Sequence, residues 1–335
     1  MPRIVRLHAF GGPENLRIED VPSQPPGPGE VRLRVEAAGV NRDQLTFIGG
    51  QHYRGHGMVQ PPLPTRLGYE VAGIVEAAGE GVDGSWIGKR VATVPAFDQT
   101  HYGALGEEAV VPIGAFAEYP SNLTTAQAAF FWIPYLTAYG GLVSIAPVQP
   151  DDYVSITAAA SSVGLAAIEF VLDAGATAIA VIRNSTKKQE LISRGAHHVI
   201  VTDEEDYEQR IREITGGKGV RITFDPVGGP FLDQLAAASA PGGIVIEYGR
   251  LSGQPAPFPM IPVIGKGLTL RGYTVGEILR DPQATATAEQ HIYDRIADGH
   301  FVPKVAVTFP FEQVIEAYGY VQSSPQMGRV VITMR

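Results

Sequence analysis

From Asp152 onward the chain alternates apolar runs with helix-forming segments, a rhythm that few folds can absorb. The apolar runs fall at 153–158, 177–182, 198–201, 220–225 and 242–248, with helical segments at 163–174, 186–194, 205–214 and 231–239 between them. Short apolar strands separated by helices pair in parallel, because each helix carries the chain back across the sheet. Such a sheet has helices on both faces, so its strands need not alternate polar with apolar residues. A doubly wound, parallel α/β sheet is therefore expected over this stretch.

The first third follows a different pattern. Gly and Pro punctuate it every few residues, and its β-branched runs are short: Glu30 to Val35, Val71 to Val75 and Arg90 to Val94. Val31, Leu33 and Val35 alternate with Arg32, Arg34 and Glu36, the period of a half-buried strand. A β-rich unit reaching about residue 120 is expected from these strands and the turn signals between them. Thr124 and Thr125 then supply capping residues ahead of an apolar helical run. After about residue 275 come one helical stretch near 284–298 and short strands starting at Val305 and Arg329. A chain of 335 residues exceeds the usual single core, so two domains are expected.

Composition removes several classes of function. The net charge of −9 gives no general attraction for nucleic acid or anionic lipid, so neither is an expected partner. With no cysteine, disulfides, thiol catalysis, Cys-ligated zinc and iron–sulfur clusters are excluded. The N-terminal residues lack the apolar stretch of a signal peptide. The most apolar window, Val154 to Leu172, contains Ser161, Ser162, Gly164 and Glu169 and reads as strand–turn–helix rather than a membrane span. A cytoplasmic protein is expected.

That same window carries the most chemistry. An apolar strand from Tyr153 leads into the small residues Ala160, Ser161 and Ser162, then Val163 and a helix start at Gly164. A Rossmann unit places a pyrophosphate against the free N–H groups of such a helix N-terminus. The full G-x-G-x-x-G is absent, and only Gly164 remains for close helix–strand packing. The second strand ends about 20 residues further on, where the ribose-reading residue is expected. Arg183 and Lys187 stand there, and no acid lies between Ile182 and Gln189. Arg or Lys attracts a 2′-phosphate that a carboxylate would repel, so NADPH rather than NADH is the expected cofactor. A solvated, charged helix start would read the same way.

Several further motifs occur in a fixed order: Ala38-Gly-Val-Asn41, Gly50-Gln-His-Tyr53, Leu67-Gly-Tyr-Glu70-Val-Ala-Gly73, Leu136-Thr137-Ala-Tyr139 and Asp225-Pro-Val-Gly-Gly229. Through them nearly the whole chain resembles the medium-chain dehydrogenase/reductase superfamily. The resemblance implies a GroES-like β-rich catalytic domain over 1–122 and 276–335, and a Rossmann NADP-binding domain over 123–275. Zinc-dependent members bind catalytic zinc with Cys, His and a later Cys or Asp. Here Asn41 and Tyr69 occupy the first two positions, so the chain resembles the zinc-independent quinone oxidoreductase and zeta-crystallin-like branch.

In that branch the residues matching Asn41 and Tyr53 face the nicotinamide pocket, and the one matching Thr137 lies beside the cofactor. Ser161, Ser162, Val163, Gly164, Arg183, Lys187, Tyr248, Gly249 and Thr274 complete the implied cofactor-binding set. Homodimerisation is implied too, with Met260 to Ile264 and Leu268 to Tyr273 as candidates for a shared edge; core packing accounts for those segments equally well. Departures from the pattern are Thr202 in place of a family Tyr, Gln44 in place of an acid, Ile48 in place of Arg, and a longer loop from His52 to Pro64.

The expected reaction is hydride transfer from NADPH to a quinone or an α,β-unsaturated carbonyl, without zinc. Tyr53 is the expected donor to the oxygen that gains charge, since a phenol stays protonated near neutrality. Asn41 could donate through its amide, although both residues would also suit loop and turn roles. His52 and His56 lie in a Gly-rich loop without a third ligand, so no metal is expected there. Two other readings stand beside this one: a 2-enoyl thioester reductase, and a non-catalytic, crystallin-like NADPH binder.

Overall fold

A computed structural model of the protein describes residues 1–51, 60–323 and 326–334. Its strands, in chain order, are β1 (Arg3–Leu7), β2 (Leu16–Asp20), β3 (Glu30–Val40), β4 (Thr65–Arg66), β5 (Val71–Ala78), β6 (Arg90–Thr93), β7 (Glu108–Pro112), β8 (Phe116–Glu118), β9 (Tyr153–Ile156), β10 (Thr177–Ile182), β11 (His198–Val201), β12 (Val220–Asp225), β13 (Ser239–Glu247), β14 (Thr269–Gly272), β15 (Val305–Pro310) and β16 (Arg329–Thr333). They divide between two compact units, Met1–Ile133 with Pro303–Arg335, and Pro134–Val302.

The first unit is built on β3. Its alternation has the expected consequence: Val31, Leu33 and Val35 are buried, while Arg32 and Arg34 turn outward to Glu76, Glu108 and Glu36. β3 pairs antiparallel with β5, β7 and β16, which makes it the hub of a sheet ordered β15-β16-β3-β5-β6-β8. Where β5 crosses β3 the register shifts at Val35 and Ala37, and a Cβ on Gly73 would lie 2.0 Å from the Arg34 carbonyl oxygen. Only glycine fits that approach. A smaller sheet, β2-β1-β4, belongs to the same unit, and Val5, Leu7, Leu16, Phe47, Leu67 and Phe311 join its core.

The second unit holds a six-stranded sheet in the order β11-β10-β9-β12-β13-β14. Every pairing is parallel. Strands β10, β11 and β12 span the residues read from the sequence, and β13 begins three residues earlier than the run at 242. The order reverses between β9 and β12, which makes the C-terminal ends of those two strands the switch point where open α/β sheets bind ligands. Val154, Ile156, Ile179, Ile222, Phe224 and Ile246 are buried in the sheet, each worth about 1.5–3 kcal/mol of transfer free energy.

The unit boundaries differ from those at 122/123 and 275/276. Residues 123–133 cluster with the first unit, where the Gln127 side-chain amide donates to the Pro303 carbonyl. Residues 276–302 cluster with the second, because the helix Pro282–Ala297 and its C-terminal neighbour Phe301 close an aromatic core. The Phe170 ring stacks on His291 at 5.8 Å and meets Phe301 at 4.6 Å, and Tyr135 stacks on Phe301 at 5.3 Å. Met260–Lys266 is a helix, so β14 alone forms that edge of the parallel sheet.

Candidate active site

Most of the expected cofactor residues gather along the C-terminal edge of the parallel sheet. After β9 the chain turns through Ala158, whose φ of 45° is the one positive value among the described non-glycine residues. It then enters the helix Ser162–Asp173. Ser161 caps this helix, its Oγ accepting from the Gly164 N–H at 3.0 Å. A Cβ on Gly164 would lie 2.6 Å from the Ala159 Cα, so the glycine lets the helix start sit directly against the turn. Ser162 and Val163 occupy the first helical positions, where backbone N–H groups have no partner within the helix. Such an N-terminus fits a pyrophosphate, and bulkier residues in the turn would fill the cradle.

Arg183 follows β10 directly and is exposed. Lys187 lies one turn on, its ammonium held below the ordinary lysine range by burial and then by the Arg183 charge. Two cations that raise each other's energy form a place where a dianion is stabilised. Two carboxylates are close by: Glu190 pulls the Lys187 ammonium back toward its ordinary range, and Ser185 Oγ donates to Glu204 at 2.7 Å. Thr202 donates its backbone N–H to the Ile182 carbonyl, tying the β11 loop to the end of β10.

Further along the same edge, Tyr248 follows β13 and stacks on Phe224 at 4.0 Å, its buried hydroxyl lacking a hydrogen-bond partner among the described residues. Gly249 lies against Pro226, whose carbonyl oxygen would be 2.7 Å from an added Cβ. Thr274 is exposed just beyond β14. Thr137 is buried in the helix Trp132–Tyr139.

Sequence reasoning missed the anchor of this edge. Asp225, fully buried, accepts from the backbone N–H groups of Val227 (3.1 Å) and Gly228 (2.7 Å) and from Thr157 Oγ1. It faces Glu247 in register on β13, whose carboxyl is pushed up to about 8 by burial and by the Asp225 charge. Only the D-x-V-G-G spelling signalled Asp225, and nothing in the sequence marked Glu247.

In the β-rich unit, Asn41 directly follows β3 and is 3% exposed. Its Nδ2 donates to Glu70 Oε2 at 2.5 Å, and its Oδ1 accepts from Arg329 Nη1. Arg329 Nη2 lies 3.4 Å from the same Glu70 oxygen, and Glu70 Oε1 accepts the Ile133 N–H at 3.2 Å. Burial pushes the Glu70 carboxyl up to about 7 against the opposing pull of Arg329 and these donors. Gln44, fully buried, accepts through Oε1 from the Asn41 N–H (3.1 Å) and the Tyr318 hydroxyl (3.0 Å). An acid there could accept in the same way, but it would bring a second buried negative charge near Glu70. Tyr69 donates to Asp43 at 2.6 Å. Arg329 is the member that sequence analysis did not single out, because it enters from the far end of the chain.

Tyr53, His52 and His56 lie outside the described residues. Among the described residues no three His, Cys, Asp or Glu side chains are grouped to hold a metal ion, and no helix is long and apolar enough to cross a membrane.

Comparison with known proteins agrees with this geometry. The family model for the alcohol dehydrogenase GroES-like domain matches residues 27–129, and that for zinc-binding dehydrogenase matches 162–292. The chain is similar to a 2-haloacrylate reductase of Burkholderia sp, 30% identical over 97% of each chain. It is also similar to quinone oxidoreductase 1 of Escherichia coli (strain K12), 32% identical over 74% of this chain and 73% of the relative. The structure of Escherichia coli quinone oxidoreductase complexed with NADPH superposes with a TM-score of 0.87 at 26% identity, covering 99% of both chains. The chain belongs to the zinc-independent quinone oxidoreductase branch of the medium-chain dehydrogenase/reductase superfamily.

Proposed function

We propose that this oxidoreductase uses NADPH to reduce an electron-poor carbon of a quinone or an α,β-unsaturated carbonyl compound. The observation that carries the reading is the cofactor edge of the parallel sheet, where a capped helix start free of bulky side chains precedes the Arg183–Lys187 pair. Bound there, NADPH would supply the hydride. The protein's work is to orient the reacting groups and to stabilise charge on the acceptor oxygen. The helix N-terminus would receive the pyrophosphate, and Arg183 with Lys187 the 2′-phosphate. Asn41 and Tyr53 are proposed as the donors to the acceptor oxygen.

The similarity to a 2-haloacrylate reductase supports the unsaturated-carbonyl half of this reading, since an acrylate is an α,β-unsaturated acid. The similarity to quinone oxidoreductase 1 supports the quinone half. Both acceptors place negative charge on oxygen after hydride addition, so one constellation can serve either. We also propose a cytoplasmic homodimer. The free edge of β14 and the neighbouring exposed side chains of Phe258, Met260, Ile261 and Ile264 are the surface for it.

The direct test of the cofactor assignment is a fluorescence titration with NADPH and with NADH. NADPH should bind at least tenfold tighter, about 1.4 kcal/mol, as charge-assisted contacts to the 2′-phosphate imply. Equal affinities would remove the assigned role of Arg183 and Lys187.

A further inference from the structure

A buried ion pair contributes little net stability, but it fixes the orientation of whatever is hydrogen-bonded between its members. Glu70 and Arg329 are 2% and 7% exposed, and the Asn41 amide lies between them. The oxygen and nitrogen of an amide are normally interchangeable in a structure, and only the surrounding partners decide which is which. Here the decision is forced. A guanidinium has no acceptor, so the atom facing Arg329 must be the oxygen, and the nitrogen then faces Glu70. The backbone N–H of Asn41 is held by Gln44, and Gln44 by Tyr318, which removes the remaining freedom of the turn. Among the described residues this cradle uses one of the two amide hydrogens.

We propose that Glu70 and Arg329 are positioning residues that hold the Asn41 amide as a hydrogen-bond donor, its second N–H reserved for the oxygen of the electron acceptor. The inference rests on the reading of the protein as an NADPH-dependent reductase with Asn41 facing the substrate. On this view Asn41, which stands where zinc-dependent relatives carry a ligand, has its amide dipole fixed between a guanidinium and a carboxyl. The pair acts through Asn41 and does not touch the acceptor.

The test is steady-state kinetics with NADPH and an acceptor that the wild-type enzyme reduces. Asn41→Ala removes the amide donor without setting a second buried carboxyl against Glu70. It should lower kcat about tenfold or more, the order of one hydrogen bond lost from the transition state, with the Kd for NADPH unchanged. Glu70→Gln should lower kcat by a similar factor, because Arg329 loses the counter-charge that holds it against the Asn41 oxygen. In an Asn41→Ala background it should add nothing. Wild-type kcat in Asn41→Ala, or multiplicative effects of Glu70→Gln and Asn41→Ala, would overturn the proposal while leaving the reductase reading intact. A Glu70→Gln enzyme that only melts earlier, with full turnover per folded molecule, would overturn it also. If Glu70→Gln does not fold, Asn41→Ala alone decides. A wild-type enzyme without turnover on any acceptor would overturn the reductase reading and this proposal together.

Discussion

At the residue scale the proposed preference for NADPH turns on two side chains, Arg183 and Lys187. Lys187 is held below its ordinary range by burial and by its cationic neighbour, so an anion bound between them relieves a cost already present in the free protein. Replacing both by Ala should weaken NADPH binding by about 2–3 kcal/mol, the scale of charge-assisted hydrogen bonds, while NADH affinity stays level. Parallel titrations of the double variant with the two cofactors check this; equal losses for both would mean that the pair is not reading the 2′-phosphate. Gly164→Ala is the second test at this scale. Its new Cβ meets backbone, at 2.6 Å from the Ala159 Cα, and backbone cannot swing aside. The helix start must therefore move, and the variant should lose both thermal stability and cofactor affinity. A neutral result in melting and in titration would contradict the close approach.

The residues legible in the sequence were those whose role follows from local context. Ser161, Gly164, Arg183 and Lys187 are each positioned within a few residues of the strand that presents them, so a strand–turn–helix pattern is sufficient to find them. Arg329 and Glu247 were invisible for the opposite reason. Arg329 reaches Asn41 across 288 residues of sequence, and Glu247 meets Asp225 only through strand register. No periodicity encodes contacts of that kind.

At the scale of elements, apolar runs marked the parallel sheet well, and Gly175 and Gly219 punctuate the chain just before β10 and β12. Helix extents were less legible where tertiary packing set them. The apolar run after Thr124 becomes two helices, a short one capped reciprocally by Thr124 and Gln127 and a second from Trp132. The tail helix Pro282–Ala297 was legible as a helix but not as part of the nucleotide unit, since its buried Ala288, Ile292 and Ile296 name no partner until the Phe170 cluster is seen. The proposed dimer is tested at this scale. β14 is an edge strand, and exposed edges with apolar neighbours tend to pair with another chain. Ile261 and Ile264 are 87% and 74% exposed, and a double change to Glu should shift the mass by light scattering from dimer to monomer. A monomeric wild type would contradict the dimer outright.

For the whole molecule, buried carboxyls set the pH dependence of stability. Burial pushes Glu70 and Glu169 up to about 7, the second against the pull of the Tyr135 hydroxyl and the Val302 N–H. Burial also holds Glu289 at about 7, and Glu247 stands at about 8. A carboxyl whose folded value exceeds its unfolded value retains a proton that the unfolded chain has released. Its contribution is therefore complete below the unfolded value and is lost as pH rises through the folded one. His198 and His291, depressed by burial, act in the opposite sense only below their ordinary value of 6.5. Between there and about pH 7 the carboxyls dominate, and stability should fall by up to about 1 kcal/mol per pH unit for each fully buried one, with Glu247 extending a shallower fall to about pH 8. Thermal melts across that interval check the slope, and Glu169→Gln should flatten it. A stability that climbs with pH over the same range would contradict the assignment.

The central claim is that this chain transfers hydride from NADPH to an electron-poor carbon without a metal. The measurement that tests it most directly is the rate of NADPH consumption with a chelator present, across a panel of quinones, enones and haloacrylates. Turnover should be unchanged by the chelator and should drop sharply when NADH replaces NADPH. Loss of activity on chelation, or bound NADPH with no turnover on any acceptor, would contradict it.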